Sequence, residues 1–250
     1  MHQSLATPRP LFGDNLTASL IAGLEAHGWA HAPGALDDEL TAALRAEALV
    51  LDETGETHAG AVGRGRHEQH DRSIRRTRIA WLDGASPAQT RFLEGAEALR
   101  RSLNRALYLG LFEFEAHYAV YPPGGFYARH LDAFTLPAAG AGAGAGLGRR
   151  AERSRVVSLV AYLNDHWEEG HGGRLALWER APMGADARPD MAALDDVTPA
   201  AEIAPAPGGL VLMLSESIPH EVRPAFAPRI AIAGWFRVNA SVGGALDPAR

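Results

Sequence analysis

A switch in hydrophobic period at Phe112 constrains this chain more than any other feature. Before it, apolar residues recur at helical spacing. Leu16, Leu20 and Leu24 predict a helix over Asp14–His27, stopped by Gly28. Leu36, Leu40 and Leu44 predict a second over about Asp37–Leu51, whose acidic start (Asp37, Asp38, Glu39) suits a helix N-terminus. A third begins at Ser86-Pro87: Ser caps, Pro takes the first helical position, and Gln89 completes a capping box. Phe92, Ala96, Leu99, Leu103 and Ala106 line one face to about Leu107, and Gly110 ends it. From Phe112 the pattern alternates. Phe112, Phe114, Ala116, Tyr118 and Val120 face one way, and Glu113, Glu115, His117, Ala119 and Tyr121 the other.

Short strand-like runs follow: Phe126–His130, Arg155–Asn164, Arg174–Trp178, Ala201–Ile203, the run from Leu210 to Ser215, His220–Arg223 and Arg229–Val238. Trp29–Pro33 and Ile74–Leu82 add extended pieces among the helices, and the last dozen residues read as frayed. Helices come first and about eight strands come after, without the alternation that builds a parallel sheet. The expected fold is mainly β, a jelly roll (a cupin-like double-stranded β-helix) preceded by N-terminal helices. It is expected as one domain over residues 1–250, with helical support at 14–108 and a catalytic core at 112–238.

Composition closes several classes of function. The chain has no Cys, so disulfides, thiolate nucleophiles and Cys-ligated zinc are all excluded. All 24 basic residues are Arg, and the formal charge of −6 gives no overall basic field for nucleic acid or an anionic membrane. No basic leader with an apolar core and no membrane-length apolar run is present, which leads us to expect a cytoplasmic protein.

The chemistry concentrates in His117–Phe134. Pro122-Pro-Gly-Gly125 turns into a strand ending in His130-Leu131-Asp132. Alternate side chains of a strand share a face, so His130 and Asp132 offer an imidazole and a carboxylate to one metal ion. His220, 88 residues further on in Ser217-Ile-Pro-His-Glu-Val-Arg223, is the candidate third ligand. Two His and one carboxylate make the facial triad of non-haem Fe(II) oxygenases, which leaves positions open for co-substrate and oxygen. Arg229 starts the next strand, and its planar fork suits a carboxylate. Tyr162 of the inner strand can set a phenol beside it. A lone His-x-Asp is as consistent with a surface triplet; the order His130, Asp132, His220, Arg229 is what favours ligation.

Other features carry two readings. The Arg- and His-rich stretch 52–78 is a solvated loop or a charged lid, and His67 and His70 within it are spaced i, i+3 without a regular element around them. The Gly/Ala tract at 138–148 is an idle insertion or a flexible finger, and it is no phosphate loop, since no Lys-Ser/Thr follows. His117, His166 and His171 read as surface or hydrogen-bonded residues, Trp235 and Phe236 as core.

The ordered set Tyr121-Pro, Tyr127-Ala-Arg-His130-Leu-Asp132, Arg155, Tyr162-Leu-Asn164, Gly172-Gly173, Pro207-Gly-Gly-Leu, His220-Glu-Val-Arg-Pro224, Arg229 and Trp235-Phe236 resembles the iron(II)- and 2-oxoglutarate-dependent dioxygenases. Within them it is similar to the prolyl hydroxylases that act on hypoxia-inducible factor and to their bacterial relatives. The segment Ile74–Leu82 resembles the family's entry strand, and the likeness spans roughly residues 15–238. The resemblance implies His130, Asp132 and His220 as iron ligands and catalytic centre. It implies Arg229 and Tyr162, with Tyr121, as the 2-oxoglutarate site, and Arg155 near the substrate, where a solvated strand end is the other reading. It implies Fe(II), 2-oxoglutarate and O2 as cofactors, with ascorbate supporting turnover. Hydroxylation of a substrate C–H, with release of succinate and CO2, is then expected on a prolyl residue of a protein or peptide, a translation elongation factor being one such class in bacterial relatives. Nucleic acid and membrane are not expected as partners, and oligomeric state is left open. A free amino acid or other small molecule is the alternative substrate, and a non-catalytic cupin-like metal or sensor module the alternative class. The Gly/Ala tract departs from the family, where a more structured finger stands.

Overall fold

The computed structural model describes residues 10–60, 71, 73–133, 155–184, 189–238, 241–242 and 245–246. His67, His70, most of the polar loop around them and the Gly/Ala tract lie outside the described residues. Three helices, α1 (Asp14–His27), α2 (Asp38–Glu53) and α3 (Pro87–Leu107), accompany the strands β1 (Trp29–Ala32), β2 (His58–Ala59), β3 (Arg78–Trp81), β4 (Glu113–Tyr121), β5 (Gly125–His130), β6 (Arg155–Tyr162), β7 (Leu175–Leu177), β8 (Ala201–Ile203), β9 (Leu210–Leu214), β10 (His220–Ala225) and β11 (Arg229–Arg237). The expected helices stand within two residues of their predicted bounds.

The strands form two antiparallel sheets. The larger has the order β1-β9-β6-β11-β4-β3-β2 and the smaller β5-β10-β7-β8. This is the jelly-roll arrangement expected, and its core follows from strand periodicity. On the larger sheet, Ala116, Tyr118 and Val120 of β4, Val157, Leu159 and Ala161 of β6, and Ile230, Ile232 and Phe236 of β11 pack with Leu20, Leu44, Phe92, Leu99 and Leu103 of the helices. Their alternates, Ala119, Tyr121, Tyr162, Val211, Met213 and Ala231, face the smaller sheet and meet Leu175, Leu177 and Val222 there. One face packs on the helices; the other packs on the smaller sheet, which carries His130 and His220.

Four expectations are corrected in detail. The α3 N-terminus is capped by Ser86 Oγ, which accepts from Gln89 N at 3.1 Å, but Gln89 does not reach back to close a capping box. Its amide instead accepts from Asp83 N and Gly84 N and donates to Glu47, tying the preceding turn to α2. The helix ends on Tyr108, at φ 52°, before Gly110 is reached. The entry strand is shorter than expected because regular pairing spans only Arg78–Trp81, with one isolated bridge from Arg75 to Tyr127. Near the C-terminus, where fraying is expected, Ser241–Val242 pairs with Ala245–Leu246. Among the described residues no helix is long and apolar enough to cross a membrane.

Candidate metal centre and co-substrate pocket

β5 and β10 are neighbours in the smaller sheet, and their register sets His130 directly opposite His220. The two rings lie 4.2 Å apart between centroids. Asp132 is not on the strand, as sequence periodicity suggests, but two residues past its end. Its carboxylate still turns back between the rings. Oδ1 is 3.6 Å from His130 Nε2, and Oδ2 is 3.5 Å from His220 Nε2. Candidate ligand atoms of the three residues lie within 4.8 Å of one another.

The proton arrangement suits a cation. His130 Nδ1 lies 2.8 Å from Ala128 O and His220 Nδ1 lies 3.0 Å from Ile218 O. A carbonyl only accepts, so each Nδ1 carries the proton and each Nε2 keeps its lone pair for a metal. Burial, with the neighbouring His130 imidazole, pushes the His220 pKa down to about 4. Burial alone would raise the Asp132 carboxyl, but His220 and His130 beside it outweigh that and hold it well below the usual carboxylate range. Two imidazoles offering Nε2 and one ionised carboxylate are the donor set a divalent iron needs.

The second half of the site lies on the larger sheet. Arg229 opens β11 directly opposite Tyr121, and Ala231, two residues on, pairs with Tyr162. The guanidinium is therefore flanked by both rings, at 4.8 Å from Tyr121 and 5.3 Å from Tyr162. Arg229 is 2% exposed. Its Nε donates to Gly173 O at 2.9 Å, yet its Nη2 has no hydrogen-bond partner, and neither has Tyr162 Oη. Among the described residues no carboxylate pairs with it. A buried cation left uncompensated is costly, so these groups fit an anionic ligand with oxygens for both donors. Burial, against the pull of Arg229, raises the Tyr162 phenol to about 12, so it stays protonated and able to donate. The backbone leaves room: a Cβ at Gly173 would stand 3.0 Å from Arg229 Cδ, and one at Gly209 3.1 Å from Tyr162 Cδ2. The start of β11 is pinned by Asn164, whose Oδ1 accepts from Ile230 N at 3.0 Å and whose Nδ2 donates to Pro228 O at 3.2 Å.

Arg155 stands at the other end of this inner face. Its guanidinium stacks on Trp235 at 3.5 Å and pairs with Glu115 at 3.0 Å, so it is a held wall rather than a solvated strand end. His117, expected at the surface or hydrogen-bonded, is buried. It sits edge-on to Trp81 and Trp235, with Nδ1 2.9 Å from Tyr118 O. Trp235 and Phe236 are core, as expected. The structure thus gathers His130, Asp132 and His220 in one cluster and Arg229, Tyr162 and Tyr121 in a second. Sequence reasoning assigned no role to Ser158, which donates to Asp132 Oδ2 at 2.6 Å, or to Tyr127, stacked on His130 at 3.6 Å. The signal for Ser158 was a lone hydroxyl in the otherwise apolar run Val156–Ala161.

Comparisons with known proteins agree with this geometry. The 2OG-Fe(II) oxygenase superfamily matches residues 116–237. A crystal structure of a Pseudomonas putida prolyl-4-hydroxylase is 34% identical, covers 89% of this chain and 98% of its own, and superposes with a TM-score of 0.67. A Trichoplax adhaerens prolyl hydroxylase, solved with a hypoxia-inducible factor oxygen degradation domain peptide fragment, is 23% identical over 89% of both chains, with a TM-score of 0.69. The epimerase SnoN, solved with Fe3+, alpha ketoglutarate and nogalamycin RO, is 15% identical over 91% of this chain and 85% of its own, with a TM-score of 0.58, and shares the fold. The chain belongs to the 2OG-Fe(II) oxygenase superfamily and is a 2-oxoglutarate-dependent dioxygenase of the prolyl hydroxylase family, with Fe(II), 2-oxoglutarate and O2 as its cofactors.

Proposed function

We propose that this protein hydroxylates a prolyl residue of a protein or peptide. His130, Asp132 and His220 hold Fe(II), and Arg229 with Tyr162 and Tyr121 grips the distal carboxylate of 2-oxoglutarate. The observation that carries the reading is the buried Arg229, whose Nη2 lacks a partner beside an equally unpartnered Tyr162 hydroxyl. When bound, iron and 2-oxoglutarate supply the oxidation of a substrate C–H by O2, with succinate and CO2 as by-products. The chain's own residues bind and orient. The Nδ1–H bonds aim both imidazoles, Arg229 fixes one end of the keto acid, and buried His117 and Trp235, with half-buried Trp81 edge-on to His117, wall the reacting face from bulk water. Arg155, stacked on Trp235, is the residue we assign to the substrate end of that wall. The helical layer and the jelly roll share one core, which supports one catalytic unit over the chain, with residues 14–108 as support for 112–238.

The prolyl substrate is favoured by the relative of 34% identity, itself a prolyl-4-hydroxylase. The test is direct. Anaerobic 2-oxoglutarate titration of the Fe(II)-loaded protein should give a weak metal-to-ligand charge-transfer band, absent from Asp132→Ala. On admitting O2, prolyl peptides, including segments of a translation elongation factor, should stimulate succinate release and gain one oxygen by mass spectrometry. Stimulation by free amino acids alone would replace the peptide reading with the small-molecule one. No succinate with iron, 2-oxoglutarate and O2 present would leave a non-catalytic metal module.

A further inference from the structure

Each of the three candidate ligands needs something to hold it, and the three are held differently. His130 and His220 are steadied by carbonyls two residues back in their own segments, at Ala128 and Ile218. Those tethers form with the backbone and use no side chain. Among the described residues Asp132 has no such local tether, and it lies past the end of β5, where strand geometry no longer directs its side chain. What reaches it comes from the opposite sheet. Ser158, from the middle of β6, places its hydroxyl 2.6 Å from Asp132 Oδ2. Ser215, just past β9, places its own hydroxyl 2.8 Å from Ser158 Oγ. Both serines are buried, at 1% and 0% exposure. Ala133 N, next to Asp132, donates to Ser215 O at 3.1 Å, so the same residue anchors the backbone beside the ligand.

The direction of the protons follows from the acceptor at the end. An ionised carboxylate only accepts, so Ser158 must give its one hydroxyl proton to Asp132. Its oxygen is then left as an acceptor, and Ser215 donates to it. The relay runs one way, Ser215 to Ser158 to Asp132, and each bond polarises the next. Nothing about sheet packing requires hydroxyls here, where the flanking Val157 and Leu159 are fully apolar. Alanine would fill the same positions.

We infer that Ser158, backed by Ser215, is the positioning residue of the metal centre: it holds Asp132 Oδ2, so that the carboxylate keeps one orientation and presents Oδ1 to the cation as a single-oxygen ligand. This rests on the reading of His130, Asp132 and His220 as the iron site. A carboxylate free to turn would bind with both oxygens or swing away, and either change would alter the coordination positions left for 2-oxoglutarate and O2. The Ser215 hydroxyl acts only through Ser158, whereas its carbonyl holds Ala133 N in any residue at that position.

Co(II) binding by the otherwise intact protein tests this without using activity. Wild type, Ser158→Ala, Ser215→Ala, the double variant and Asp132→Ala are titrated with Co(II), following heat release and the visible ligand-field bands; apo melting temperatures confirm that each is folded. Outer partners of metal ligands change affinity by about 10- to 100-fold. The Kd is expected to rise within that range in Ser158→Ala, with altered ligand-field bands, and by a smaller factor in Ser215→Ala. The double variant should match Ser158→Ala, since partners in one relay are not additive. Ser158→Thr, which keeps the hydroxyl, should restore the wild-type bands. If Ser158→Ala binds Co(II) as wild type does, with unchanged bands, the positioning role is wrong while the iron site stands. If the two alanine effects simply add, the one-way relay is wrong. If wild type binds no more tightly than Asp132→Ala, the iron site itself is wrong, and the inference falls with it.

Discussion

Two tyrosines on opposite faces of one sheet show how the molecule divides its labour. Tyr118 and Tyr162 are both fully buried, at 0% exposure. Tyr118, on the helical side, donates to Glu47 Oε2 at 2.8 Å, and the same carboxylate accepts from Ser86 and Gln89. Tyr118 thus has its partner inside the fold. Tyr162, on the cavity side, has none, and neither has Arg229 Nη2 or Trp235 Nε1. Closed bonds mark a face built to stand alone, and open ones a face completed by something that enters. The faces share strands and differ only in alternate residues, so substitutions one position apart should damage different properties.

The largest effect is expected at the metal centre. Asp132→Ala should lower 2-oxoglutarate turnover on the order of 10³-fold or more, since ligands that act as a unit fail as a unit. Urea denaturation of the apo form should show a loss of about 1–3 kcal/mol, because the buried Ser158 hydroxyl is left without its acceptor. Arg229→Met comes next. Losing a desolvated charge-assisted grip costs about 2–5 kcal/mol, on the order of 10²-fold or more in the Kd for 2-oxoglutarate. The apo protein should be as stable as wild type or more so, because the substitution removes a buried cation with no counter-ion. A marked loss of apo stability in Arg229→Met would break the contrast between the faces.

Much of this division could be read in the chain, for a physical reason. Period-two alternation in β4, β6 and β11 tells which residues share a face, so spacing alone groups His117 with Tyr121, and Tyr118 with Val120. The order His130, Asp132, His220, Arg229 was legible because each residue sits at or near a strand end, where a jelly roll returns to one mouth. What could not be read is which neighbours meet across strands distant in sequence. The Ser158–Asp132 bond joins β6 to the loop after β5. The Glu47–Tyr118 bond spans 71 residues. Gln89 looked like a capping-box residue because local spacing says so, and tertiary partners claimed its side chain instead. Periodicity reports faces, and contacts across the core depend on register and turn geometry that it does not carry.

Acid should sharpen the comparison, because the buried histidines lie on the cavity side. Burial, with Arg75 nearby, holds the His117 pKa down to about 3, and burial with His130 holds His220 to about 4. Unfolded, both would titrate near 6.5. Between pH 6.5 and about 4 the unfolded chain therefore binds protons that the folded chain refuses, and stability falls as pH falls, by about 1.4 kcal/mol per pH unit for each histidine. Asp132, its pKa also lowered from 3.8, acts in the same sense, but its contribution is lost only as pH falls below about 4, beneath this window. Urea midpoints of the apo protein at pH 7, 5.5 and 4.5 should decline. In His117→Gln the slope should be shallower by about one proton, and an unchanged slope would mean that His117 does not stay neutral.

The smallest and most pointed test returns to the two tyrosines, since removing one oxygen from each is the same chemical change on opposite faces. Tyr118→Phe leaves the Glu47 carboxylate short of one donor inside the helical layer, at a cost of about 1–3 kcal/mol in urea denaturation. Turnover per folded molecule should not change, because Tyr118 faces away from the cavity. Tyr162→Phe removes a hydroxyl that meets the Arg229 guanidinium but has no well-formed hydrogen bond among the described residues, so the apo midpoint should hold or rise slightly. Its cost should appear only when 2-oxoglutarate is present, as a loss of about 0.5–1.5 kcal/mol from one missing hydrogen bond, or roughly 2- to 10-fold in Kd. If Tyr162→Phe instead destabilises the apo protein as much as Tyr118→Phe does, its hydroxyl has a partner within the fold. The cavity face would then be closed like the other, and Arg229 would stand alone as the group awaiting an acid.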